Sequence, residues 1–152
     1  MNKLLNQGFI DQKQLNENIR LSNYSLTRIK DLKNLIEEKI LDKTIADSLN
    51  SVLEQIIKNN KAQLELSFFI EQRMNQLSNQ AYIDQTHLSE NIRLSQSTLY
   101  EIKYLKTLIE HDVLDTGIAA SFNLILDNII EHNNSHIDLS RSIARSNGII
   151  GV

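Results

Sequence analysis

Two histidines raise the chemical question first. His132 and His136 stand four residues apart, so on a helix both rings face the same side. A pair at that spacing can hold a metal or a cofactor inside a helical bundle. Ser22 and Ser95 interrupt two other helical patterns where apolar residues are due, and Asn59 and Gln63 interrupt a third. Two helices joined by a tight turn near residue 42 bring Ser22 level with residue 62, beside Asn59, Asn60 and Gln63. The same arithmetic about residue 115 brings Ser95 between His132 and His136. With both turns at one end, Ser22, Asn59, Gln63, Ser95, His132 and His136 share one level, with Asn60 and Asn133 at its edge.

Such a layer could hold a small polar ligand, but its chemistry points elsewhere. A di-iron bundle needs several carboxylates or more histidines at one level, and no carboxylate falls in the pattern beside His132 and His136. His111 lies near a turn and His87 near the opposite end. At about 1.5 Å of rise per residue, His111 is on the order of 20 Å from His132 along the bundle. The residues therefore name no metal and no cofactor. The expected role is a hydrogen-bonded polar layer that fixes helix register and pairing.

Other candidates for catalysis are weaker. Lys33 and Lys106 fall on or beside the apolar pattern, where a lysine can reach out to the bundle edge. Glu17 with Arg20, and Glu90 with Arg93, have the spacing of solvated surface pairs. A phosphate-binding glycine loop, a metalloprotease helix and a nucleophile elbow are all missing. Cysteine is absent, which removes thiol chemistry. The sequence reads as that of a protein without an enzymatic reaction.

The elements that position these residues come from a repeat. Shifted by 73, residues 1–73 align with residues 74–146 without a gap, and 36 of the 73 positions are identical. The pairs run from Met1/Met74 through Ile10-Asp11-Gln12/Ile83-Asp84-Gln85 and Glu17–Ser22/Glu90–Ser95 to Ile56-Ile57/Ile129-Ile130. Fusion of two copies of one small unit explains this. A single copy buries little, so its forerunner is expected to have been a dimer.

Each copy predicts two helices. Asp11 stands at an N-cap with Gln14 three residues on, and Ile10 and Leu15 form a hydrophobic staple; Asp84, His87, Ile83 and Leu88 repeat this. Apolar residues then recur at Leu15, Ile19, Leu26, Ile29, Ile36 and Ile40, and in copy two at Leu88, Ile92, Leu99, Ile102, Ile109 and Val113. Asp42 and Asp115 cap the second helix of each pair. The helix after Asp42 is expected to run through Met74 towards Leu77. Connections near 41–43, 79–83 and 114–116 are short, so sequential helices are antiparallel neighbours. The fold class is all-α: an antiparallel up-down-up-down four-helix bundle of two duplicated hairpins with pseudo-twofold symmetry. Residues 1–146 make one domain and 147–152 a tail. The main competitor is a domain-swapped or dimeric arrangement of the same helices.

Composition agrees. The chain has 152 residues, 41% hydrophobic and 23% charged, with no proline and four glycines. No apolar run approaches the roughly 18–20 residues that cross a bilayer. A cytoplasmic setting is expected. The formal net charge of −3 argues against a general nucleic-acid binder. Copy one carries 11 basic and 10 acidic residues, copy two 5 and 9, and all four histidines are in copy two.

That divergence suggests a binding face. Opposite the apolar pattern of the third helix lie Tyr100, Tyr104 and Leu108, with Leu94 at the margin. The positions of copy one that match Tyr100, Tyr104 and Leu108 are Thr27, Asp31 and Leu35, so the aromatics are special to copy two. Exposed leucine alone is unremarkable, but two tyrosines beside it make a strip of the sort enriched at interfaces, so Tyr100, Tyr104, Leu108 and Leu94 are expected to contact a protein partner or a second copy of the chain. Phe68 and Phe69, which replace Arg141 and Ser142 of copy two, are expected to pack under Leu4, Leu5 and Phe9. The expected function is that of a non-enzymatic adaptor, regulator or inhibitor. The alternative is a ligand- or metal-binding bundle built on His132 and His136.

Overall fold

The structure, a computed structural model, describes residues 6–152. Met1, Leu4 and Leu5 lie outside the described residues. The elements in chain order are β1 (Gln7–Asp11), α1 (Gln12–Lys39), α2 (Lys43–Glu71), β2 (Gln80–Asp84), α3 (Gln85–Asp112) and α4 (Thr116–Asn147). Each helix start is set by an aspartate. Asp11 accepts from the Gln14 backbone N–H while the Gln14 side chain bonds back to the Asp11 N–H, and Asp84 and His87 repeat the arrangement. Asp42 accepts from the Thr44 and Ile45 N–H groups, and Asp115 from those of Gly117 and Ile118. At the end of α4, Gly148 takes the left-handed conformation (φ 68°) that a β-carbon disfavours.

The four helices form an all-α four-helix bundle. α1 packs against α2 and α4, and α3 against the same two. Gln12 at the start of α1 bonds Glu71 at the end of α2, and Lys33 meets Glu54 at 2.5 Å, so α2 returns along α1. Lys106 meets Asp127 at 2.6 Å in the same way between α3 and α4. Both lysines sit at the bundle edge, each holding a carboxylate of the neighbouring helix.

Two features depart from expectation. α2 stops at Glu71 instead of continuing towards Leu77, because Asn75 organises a turn. Its side-chain oxygen accepts from the Leu77 and Ser78 N–H groups, and its own N–H bonds Gln80 O. The stretch 79–83, expected to be a connection, is mostly strand. β2 pairs antiparallel with β1 in the register Gln7↔Asp84, Phe9↔Tyr82 and Asp11↔Gln80. Phe9 and Tyr82 are the same position of the two repeats, so the ribbon is centred on a local twofold. Its inner face buries Ile10, Ala81 and Ile83, and its outer face exposes Phe9 and Tyr82. Gly8 permits a close contact here: a β-carbon on it would lie 2.3 Å from Asn147 Oδ1. Asn147 uses that space to accept from Phe9 N (3.0 Å) and donate to Phe9 O (3.1 Å).

The core is in two parts. One apolar cluster fills the end with the helix turns, from Ile29, Leu32 and Ile36 across to Phe122, Leu126 and Ile129. The other lies under the ribbon and joins Ile10, Leu15, Ile70, Ile83, Leu88 and Ile143. Ile149 of the tail is buried in this second cluster, while Ile150 is exposed. Between the clusters, the inward row of α1 reads Leu15, Asn18, Ser22, Ser25, Ile29. Ile19 and Leu26, expected in that row, are half-buried on its flanks.

Candidate functional site

The middle of the bundle is a polar belt. α1 supplies Asn18, Ser22 and Ser25; α2 supplies Asn59, Asn60, Gln63 and Ser67; α3 supplies Asn91, Ser95 and Thr98; α4 supplies Asn133, His136 and Ser140. All are buried. The span from Asn18 to Ser25 on α1 makes the belt about 10 Å deep.

The belt contains Ser22, Asn59, Gln63, Ser95 and His136 of the expected layer, with partners other than those expected. The turn arithmetic sets Ser22 beside Asn59, Asn60 and Gln63 of its own hairpin. Instead Ser22 Oγ lies 3.1 Å from His136 Nε2, in the other copy. The counterpart pair is Ser95 and Gln63: Gln63 Nε2 donates to Ser95 Oγ at 2.7 Å and to the Asn91 carbonyl at 3.0 Å. These bonds run between copies because α1 packs on α4, and α3 on α2, as extensively as within each hairpin. His136 Nδ1 lies 2.9 Å from Asn18 Oδ1. An amide oxygen can only accept, so Nδ1 carries the hydrogen and Nε2 accepts from the Ser22 hydroxyl. Burial is the main cause that drops the His136 pKa to about 4, with the nearby His132 adding to it. The ring is neutral at pH 7.

The edge and the centre are exchanged. Asn60 and Asn133, expected at the rim, are fully buried, while His132 is half-buried. One step along a helix turns a side chain by about 100°, enough to make that exchange. His132 stacks on Tyr24 with ring centroids 4.0 Å apart, and its Nδ1 lies 2.6 Å from Asn128 O. In the other copy, Asn59 Nδ2 donates to Ser97 Oγ at the matching place. His132 and His136 therefore serve different neighbours and do not converge on a point.

Ser22, His136 and Asn18 have the order of a nucleophile, a base and an orienting acceptor. All three side chains are shut away from solvent. A cavity beside them, between Asn18, Ser67, Asn91 and Ser140, measures about 10 Å³, room for no more than one water. The Ser22 hydroxyl is not exposed at the surface. Both nitrogens of His136 are already bonded, so neither offers a lone pair to a metal without breaking the belt. Among the described residues, no group of three or more His, Asp or Glu side chains is placed to hold a metal ion.

The expected binding strip divides. Tyr100 is 73% exposed and Tyr104 51%. Leu108 is half-buried against the core, and Leu94 is buried at 4%. Leu94 belongs to the interior because α3 is flanked by both α2 and α4 and buries a wider arc than a single row. Its repeat mate Leu21 is buried too.

A second aromatic surface lies at the ribbon end. Phe9 and Tyr82 are exposed on the ribbon, and Phe68 and Phe69 are exposed on α2 rather than buried beneath Phe9. The His87 ring bridges Phe69 (centroids 6.4 Å apart) and Tyr82 (6.5 Å), and the Arg73 guanidinium lies 4.2 Å over the Phe69 ring. The replacement of Arg141 and Ser142 by Phe68 and Phe69 is the one trace of this surface in the sequence. No helix of the described residues is long and apolar enough to cross a membrane. No family model matches the chain, and no curated protein or solved structure matches it either.

Proposed function

We propose that this chain is a non-enzymatic interaction module whose surface aromatics bind a protein partner or a second copy of itself. One observation carries the reading. Of four tyrosines and four phenylalanines, Phe122 alone is buried; the other seven are exposed. Aromatic side chains offer the largest gain on burial, and a bundle that stabilised only itself would use them inside. Here Ile and Leu build the core, and five of the seven exposed aromatics form two surfaces, Tyr100 with Tyr104, and Phe9, Phe69 and Tyr82 with Arg73. Aromatics with arginine are the residues that dominate interface energies. The same reading takes the two halves as duplicated antiparallel hairpins, a cytoplasmic setting, and no role in nucleic-acid binding given the acidic second copy. The competing reading, a ligand or metal held by His132 and His136, has the divided hydrogen bonding of those rings against it.

The test compares the full chain with Tyr100→Ser/Tyr104→Ser and with Phe9→Ser/Phe69→Ser. Light scattering reports self-association, and quantitative capture from a host lysate reports partners. At least one double variant is expected to keep its helicity and lose a complex that the unaltered protein forms. A monomeric protein whose captured partners are insensitive to both variants would overturn the proposal.

A further inference from the structure

One level of the polar belt collects four side-chain atoms with bonds to make and no protein group to make them with; Gln63 Oε1, one turn away, is a fifth such atom in the belt. Ser25 Oγ, Thr98 Oγ1, Asn60 Oδ1 and Asn133 Oδ1 are shielded from solvent and have no hydrogen-bond partner among the described residues. They are two repeat-equivalent pairs, one residue from each helix. Register places them together. Ser22 meets His136, so Ser25, one turn on in α1, is level with Asn133, one turn back in α4. Ser95 meets Gln63, so Thr98 is level with Asn60. The side-chain nitrogens are committed elsewhere: Asn60 Nδ2 donates to Ile56 O at 2.9 Å and Asn133 Nδ2 to Ile129 O at 2.8 Å. Each carboxamide is thereby fixed with its oxygen away from that backbone bond. The two hydroxyls do not make the usual bond back to their own helix, as Thr27 and Thr107 do on the surface.

We propose that Ser25, Asn60, Thr98 and Asn133 bind an internal water on the pseudo-twofold axis. The water donates its two hydrogens to Asn60 Oδ1 and Asn133 Oδ1 and accepts those of the Ser25 and Thr98 hydroxyls. Four bonds result, and every orphaned atom of the level is satisfied. Water fits this site better than a metal cation. All four ligands are uncharged, apolar side chains close the level on the turn side, and the hydroxyl hydrogens need an acceptor that a cation is not. The water belongs to the assembled bundle, since each half supplies one amide and one hydroxyl.

The experiment is water-oxygen magnetic relaxation dispersion on the full chain, with Asn60→Leu/Asn133→Leu as comparison, and a high-resolution crystal structure of the unaltered protein. A long-lived water is expected in the unaltered protein and lost in the double variant. In the crystal, density is expected at about 2.8 Å from both amide oxygens. Direct bonds from Ser25 and Thr98 to the two amides, or no long-lived water in the unaltered protein, would overturn the proposal. Thermal stability that depends on sodium against potassium at constant ionic strength, with a cation at this level in the crystal, would also overturn it. If the double variant does not fold, the measurements on the unaltered protein decide.

Discussion

Asn18 and Asn91 hold the same place in the two repeats and touch each other, with Asn91 Nδ2 3.5 Å from Asn18 Oδ1. The contact is a single bond with a direction: Asn91 donates and Asn18 accepts, so the two repeats are not equivalent here. Its neighbours choose the direction. His136 donates to Asn18 Oδ1, and Asn91 Nδ2 also donates to Ser140 Oγ at 2.9 Å. Gln63, in the place equivalent to His136, donates to the Asn91 carbonyl instead. In a dimer of identical units the two directions would be equal in energy. The difference between Gln63 and His136 within one chain removes that degeneracy.

Acid should weaken the protein through His136. Its pKa falls from the usual 6.5 to about 4 on folding. Above the upper value the ring is neutral in both states and contributes no pH dependence. Between the two values the unfolded chain takes up a proton that the folded chain refuses, so stability declines as pH falls. Below about 4 both states are charged and the slope vanishes. The full decline is about 3 kcal/mol. Urea unfolding across this range measures it, and His136→Gln, which copies Gln63, is expected to flatten the profile. An equal decline in that variant would assign the effect to other groups.

Shape at position 136 matters less than hydrogen bonding. His136→Leu leaves the buried Ser22 Oγ and Asn18 Oδ1 with fewer partners. It is expected to cost about 2 kcal/mol more than His136→Gln at neutral pH, measured by denaturant unfolding.

Leu94 and Tyr104 separate interior from surface on one helix. Leu94→Asp buries an unpaired charge and should cost at least about 3 kcal/mol or prevent folding. Tyr104→Asp should stay within about 0.5 kcal/mol of the parent. Similar thermal midpoints for the two variants would contradict this placement.

Gly8→Ala should detach the end of α4. The new methyl group occupies the position of the Asn147 carboxamide, so both bonds to Phe9 are lost, at a cost of about 1–2 kcal/mol. Faster proteolysis near residue 147 is the expected sign. Position 81, the repeat mate, already carries alanine, and the residue equivalent to Asn147 is Met74.

Local codes were legible and distant pairings were not. The four capping aspartates are read from neighbours within three residues, and with them came the helices and the level of the polar layer. The inward row slipped because its centre is polar: following apolar residues alone leads from Leu15 to Ile19 and Leu26, past Asn18 and Ser25. The choice of His136 over Gln63 as the partner of Ser22 depends on how two hairpins dock, which no local pattern states. The ribbon was invisible for the same reason. Five residues around Phe9 have no strand signal strong enough without Tyr82, which lies 73 positions away.

That separation has a consequence for lifetime. The α1–α2 and α3–α4 hairpins form from contacts near in sequence, whereas β1 and β2 can pair once both hairpins have docked. Interactions made after the folding barrier govern how fast a protein opens and hardly affect how fast it forms. The ribbon and the Asn147 contact on it are therefore expected to act as a kinetic clasp. A chain weakened at Phe9 refolds at the ordinary rate but opens sooner, uncovering Ile10, Ile83 and Ile143 to proteases while the apolar cluster at the helix turns stays closed.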